Sequence, residues 1–206
     1  MARAQSAGKR ELETIRVGSR AEWREWLERN HDSSPSIQLA IVKKGSEKRG
    51  VTYEEAVQEA ICFGWIDSRA NVLDEDHFKV LMSPRKPGSI WSKSNKERVR
   101  NMIEQGLMAP AGLRKVKAAK KDGSWHILDD VEDLKVPEDL ERALGDHPSA
   151  KENFEAFGDS YRKQVLYWVL SAKRPETRAK RVKEVVRSAA RNEKVGQYIG
   201  KDKKGA

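Results

Sequence analysis

Apolar residues recur along this chain with two periods, and the change from one to the other divides it. From Ser19 the sequence runs Ser-x-x-Glu into Trp23, Trp26 and Leu27 at i, i+3, i+4, which predicts a capped helix with one apolar face. Asn30 to Pro35 reads as a turn, and Ile37 to Lys43 as a β-branched strand. Thr52 and Glu55 repeat the capping pattern ahead of the stripe Tyr53, Ala56, Val57, Ala60, Ile61. This is the clearest helix in the chain, and Gly64 should end it. Beyond it Ile66, Ser68, Ala70 and Val72 alternate with Asp67, Arg69 and Asn71. After the acidic turn at Asp74 to Asp76, Phe78, Val80 and Met82 alternate again, so two half-buried strands in a hairpin are predicted. Thr14 to Val17 fits a short edge strand.

Helical periodicity then takes over. Ser94 and Glu97 suggest a third capping box, with Val99, Met102 and Ile103 on the buried face, and a further helix should run from about Pro110 to Lys121. From Val136 the pattern is helical only. Pro137 fits a first helical position, Ser149 and Glu152 a fourth capping box, and Tyr161 to Ala172 and Pro175 to Ala190 the last two helices. The expected fold is therefore α+β: a small antiparallel or mixed sheet packed with helices over 12–130. An all-helical C-terminal module follows over 131–192, and 1–11 and 193–206 are expected to be flexible tails.

Composition narrows the setting. No window approaches about 18 consecutive apolar residues, and the basic N-terminus, Met1 to Arg10, leads into Glu11-Leu12-Glu13 rather than an apolar stretch. That argues against a secretory signal. The single cysteine, Cys62, excludes an internal disulfide framework. These features predict a cytoplasmic protein. The net charge of +9 is concentrated late: Lys173 to Ala206 holds twelve Lys or Arg against four Asp or Glu. Lys173, Arg174, Arg178, Lys180 and Arg181 are the candidates for nucleic-acid binding, which steep salt dependence would reveal. The plainer reading is a solvated helix face.

The strongest candidate chemistry lies in the loop Pro84 to Ser92. Arg85, Lys86, Ser89 and Ser92 precede a predicted helix start, whose free N–H groups and positive dipole end suit an anion. The glycine spacing of a P-loop is absent. Trp65 and Trp91 offer flat faces to a ligand, Asp67 is placed to pair with Arg69 or Arg85, and Ser68 and Asn95 complete the candidate groove. The competing reading makes both tryptophans core residues, Ser92 or Ser94 a simple cap, and Arg85 and Lys86 solvated. Cys62 follows an apolar stripe and reads as a core thiol. The four histidines, 31, 77, 126 and 147, are isolated, so no metal site is indicated. No dinucleotide fingerprint or nucleophile motif is present, and no cofactor is expected. The sequence favours a non-catalytic protein that binds an anionic small ligand or acidic partner. An enzyme using Asp67 with the loop cations is the remaining alternative.

Four runs carry a family likeness: EAICFGWIDS (Glu59 to Ser68), PRKPGSIWSKSN (Pro84 to Asn95), GLMAPAG (Gly106 to Gly112) and AKRPETRAKR (Ala172 to Arg181). Over about Arg20 to Arg191 the chain resembles the bacterial YdeI/OmpD-associated, or bacteriocin-protection, family. It departs at Ile61 and Gln38, where leucine and an aromatic are usual. The resemblance implies a role in protection against bacteriocins, antimicrobial peptides or stress, and it supplies no catalytic residues. The order of helix, Phe-Gly and hairpin is also similar to the YdhG and YjbR folds, an analogy of fold alone.

Overall fold

Local signals set the first helices. In a computed structural model, which describes residues 12–195, the extended Ser19 caps α1 (Arg20–Asn30) by accepting the Glu22 amide. Glu22 itself takes the amide of Gly18 at 2.8 Å. Thr52 and Glu55 form a complete capping box at the start of α2 (Tyr53–Cys62). Trp23 and Leu27 of α1 meet Val57, Ala60 and Ile61 of α2 in the core, and the Trp23 indole donates to the Ala56 carbonyl at 3.0 Å, pinning the two helices together.

These helices accompany a four-stranded sheet of β1 (Thr14–Ile15), β2 (Ile37–Val42), β3 (Trp65–Val72) and β4 (His77–Pro84), in the order β1-β2-β4-β3. β1 runs parallel to β2 and the other pairs are antiparallel, so the fold is α+β with a mixed sheet. Ile37, Leu39 and Ile41 of β2 are buried in the core. β3 departs from expectation. Its alternation predicts a half-buried strand, yet it lies at the sheet edge, bulged between Asp67 and Ala70. Ser68 to Val72 are exposed regardless of parity, Val72 at 79%. Alternation describes which face a side chain points to; burial needs a neighbour over that face.

α3 (Lys93–Glu104) is capped by Ser92, which accepts the Asn95 amide at 3.3 Å, and not by Ser94. Val99 and Met102 are buried as expected, but Ile103 is half exposed. α4 (Pro110–Asp122) ends at a left-handed Gly123.

Gly64 couples α2 to the loop beyond β4. Its φ is +76°, its amide donates to the Ile61 carbonyl, and its own carbonyl accepts the Arg85 amide at 2.9 Å. A Cβ here would stand 2.7 Å from Cγ of Lys115. Gly64→Ala is therefore expected to cost roughly 1–2 kcal/mol and to lower the thermal midpoint by several degrees. An unchanged midpoint would contradict this geometry.

The chain divides into two compact units between His126 and Ile127. The second contains α5 (Asp129–Glu132), α6 (Glu138–Gly145), α7 (Pro148–Ala156), α8 (Asp159–Leu170) and α9 (Pro175–Ala190), with Leu140, Leu144, Phe154, Val165, Val169 and Val185 at its core. Pro137 is the cap of α6 rather than its first residue. Pro148 opens α7 with no side-chain cap, so the Ser149–Glu152 box is not formed. Val195, in the segment expected to be a tail, is buried, and its amide bonds the Tyr161 hydroxyl. Segments 1–11 and 196–206 lie outside the described residues.

Candidate functional site

Pairing between β3 and β4 continues past the last strand residue, because the Arg85 amide donates to Gly64. The Arg85 side chain is consequently buried, and the residue is 2% exposed. Its guanidinium lies over the Trp91 ring, with Cζ 3.6 Å from the centroid. Nη1 donates to the Ile90 carbonyl at 3.1 Å, and Lys115 Nζ donates to the carbonyl of Arg85 at 2.8 Å. Nε and Nη2 are buried and find no hydrogen-bond partner among the described residues. Burial pulls the guanidinium pKa down to about 10, against the opposing pull of Asp67, so it stays charged at neutral pH. Trp91 is itself buried and tilts against Trp125 at 5.0 Å.

The energetics are unusual for a core residue. A buried cation loses several kcal/mol of hydration, and each unsatisfied donor adds to that cost. Stacking on a desolvated tryptophan returns roughly 2 kcal/mol. Apolar side chains of similar volume are often equal or better for stability in such places.

A cavity of about 90 Å³ adjoins this arrangement, lined by Arg85, Lys86, Ser89, Trp91, Lys115 and Asp122 among others. Lys86 is exposed, and the Ser89 hydroxyl donates to the Lys86 carbonyl at 2.6 Å, closing the turn. Asp122 accepts the Ser124 amide at 2.9 Å, and its interaction with Ser124 holds its carboxyl below the usual range. The surrounding chain is strongly basic: from Arg85 to Lys121 there are eleven Lys or Arg against two Asp or Glu. Locating the basic character at the C-terminus overlooked this block, because acidic segments elsewhere cancel it in the sum.

Four of the candidate residues, Arg85, Lys86, Ser89 and Trp91, are thus brought to one cavity. The others stand apart from its lining. Trp65 is a core residue whose indole donates to the His31 carbonyl at 3.1 Å and meets Trp26 edge-on. Asp67 accepts the Tyr53 hydroxyl at 2.8 Å; burial and this carboxylate push the tyrosine pKa up to about 12. Ser68 and Arg69 are exposed on the edge strand. Ser92 caps α3, and Asn95 accepts from Arg98, which also forms a two-point pair with Glu54. The cavity wall is built from α4, not from the N-terminus of α3. Lys115 was missed because nothing in the run Arg114 to Lys121 separates one cation from the next.

In the second unit, Arg178 holds Asp139 at two points, 2.6 and 2.8 Å. Arg181 lies over the Trp168 ring and donates to the Trp168 carbonyl and the Ser171 hydroxyl. Lys173, Arg174 and Lys180 are exposed. A larger groove of about 730 Å³ runs along α6 and α9. Its floor includes Ala143, Ala179, Val182 and Val186, and Arg178 on its wall is already engaged by Asp139. Cys62 is buried, which pushes its thiol up to about 11 and leaves it protonated at neutral pH. Among the described residues no three His, Cys, Asp or Glu side chains gather as a metal site, and no helix is long and apolar enough to cross a membrane.

Two family models match the chain. Residues 15–115 match a domain of unknown function, DUF8412, and residues 133–192 match a family described as bacteriocin-protection, YdeI or OmpD-associated. No curated protein and no solved structure matches it.

Proposed function

We propose that this chain, whose residues 133–192 match the YdeI or OmpD-associated family, is a non-catalytic anion-binding protein whose site is the Arg85 cavity. One observation carries the reading. Arg85 is buried and charged, stacked on Trp91, with two guanidinium nitrogens unmatched by any described residue. Buried polar groups are nearly always satisfied, so such an exception asks for a partner, and a planar guanidinium suits an oxyanion. Lys86 and Lys115 add charge at the same cavity. The site holds cations to bind and orient a ligand; Cys62, the one thiol, is buried and protonated. In this reading the protein acts in the cytoplasm, where holding an anionic ligand or acidic partner serves the protective role that the family description names.

Phosphate titration followed by tryptophan fluorescence tests the proposal, since Trp91 lies against the guanidinium. The wild type is expected to respond saturably, and Arg85→Met to stay folded, with an equal or higher thermal midpoint, while losing the response. No response up to about 10 mM, weaker than roughly −2.7 kcal/mol, defeats the proposal. So does an undiminished response in Arg85→Met. Binding of an oligonucleotide that weakens with rising salt in proportion to several phosphates, unaffected by Arg85→Met, would instead favour nucleic acid on the exposed cations Lys173, Arg174 and Lys180.

A further inference from the structure

Lys115 belongs to two cavities. Beside the small one at Arg85 lies a second of about 430 Å³, and Lys115 and Ala118 line both. The larger cavity has a mixed wall, with Phe63 and Trp65 on its apolar side and His31, Asp32 and Arg114 on its polar side. Its volume falls in the range of small-molecule sites, whereas about 90 Å³ holds only a compact head group.

Resting on the anion-binding reading, we propose that the two cavities form one bipartite site for a small organic phosphate monoester. The phosphate sits against Arg85 and Lys115, and a polar body such as a sugar occupies the larger cavity beside Arg114. Three observations fit this division. The small cavity is lined by three cations, Arg85, Lys86 and Lys115, against one carboxylate, Asp122, a surplus matched to a dianion. A monocarboxylate carries a single charge, and a backbone diester does likewise. Lys115 spends one ammonium proton on the Arg85 carbonyl and keeps two for a ligand on either side. The larger cavity offers the Arg114 guanidinium and the Asp32 carboxylate along with two aromatic edges, while His31 is held by the Leu27 carbonyl and Asp32. This wall suits hydroxyls over an apolar ring face better than an alkyl chain.

Calorimetric titration of the full chain with inorganic phosphate, ribose 5-phosphate, glucose 6-phosphate, AMP, free ribose and a single-stranded oligonucleotide tests this. At least one monoester is expected to bind ten-fold or more tightly than inorganic phosphate, with free ribose silent. Arg114→Ala should bring that ratio toward one, and Lys115→Ala should weaken phosphate and ester together. If every monoester binds no better than phosphate, or the ratio survives Arg114→Ala, the bipartite site is wrong while anion binding at Arg85 stands. An oligonucleotide that binds with Arg85 dependence while the monoesters do not also overturns it. Absence of any Arg85-dependent signal with phosphate removes both readings.

Discussion

Gly112→Ala is expected to lower the thermal midpoint by roughly 10 °C, against the usual sign of glycine-to-alanine changes inside helices. At an ordinary helical position alanine gains up to about 1 kcal/mol. Here α4 is pressed onto the last turn of α2. The Ala109 amide donates to the Cys62 carbonyl at 3.2 Å. A Cβ on Gly112 would lie 2.2 Å from that same oxygen and 2.7 Å from both the Cys62 carbonyl carbon and the Ile61 oxygen. All three are backbone atoms, so no rotamer change relieves the clash and α4 must move. Overpacking of this kind costs about 3 kcal/mol or more, which gives the shift stated. α4 also carries Lys115, so the phosphate response should weaken with it. A midpoint within about 2 °C of wild type would mean the two helices are not in backbone contact.

That contact shows where sequence reading stops. α1 and α2 were legible because a cap and an apolar stripe are local: Ser19 and Glu22, Thr52 and Glu55, then side chains at i, i+3 and i+4. The hairpin was legible for the same reason, through alternation and an acidic turn. What failed depended on neighbours distant in sequence. β3 alternates, yet no described residue covers its outer half, so parity did not decide burial beyond Asp67. Ser92 and Ser94 are equally good caps by chemistry, and the structure uses Ser92, which directly follows the buried Trp91.

The site divides along the same line. Loop composition alone brought Arg85, Lys86, Ser89 and Trp91 together. The opposite fates of two adjacent cations, Arg85 buried and Lys86 exposed, were not readable, because they follow from the Gly64–Arg85 hydrogen bond. Lys115 is thirty residues away and reaches the loop only because Gly112 lets α4 approach. The basic block from Arg85 to Lys121 was readable and was hidden by averaging over the chain. Windowed charge, rather than net charge, would have found it.

Trp91→Ala should be the most damaging substitution at the site itself, and it separates stacking from simple burial. Trp91 is 1% exposed, lies 3.6 Å beneath the Arg85 guanidinium and tilts against Trp125. Truncating a buried aromatic costs about 3–5 kcal/mol. Part of that cost here should come from leaving Arg85 a buried cation with no aromatic face opposite it. Removing the cation as well then removes that part. Denaturant melts of wild type, Trp91→Ala, Arg85→Met and the double variant form a cycle in which the double is expected to be no less stable than Trp91→Ala alone. The coupling should be about 1–2 kcal/mol, the range for a desolvated cation over tryptophan. Strict additivity would show that the ring contributes volume only, and that Arg85 is held by the Ile90 carbonyl and the loop. With coupling present, the ring offsets the burial of Arg85 and fixes the two unmatched nitrogens on which the proposed anion site depends. Phosphate affinity should accordingly fall at least ten-fold in Trp91→Ala even where the protein remains folded.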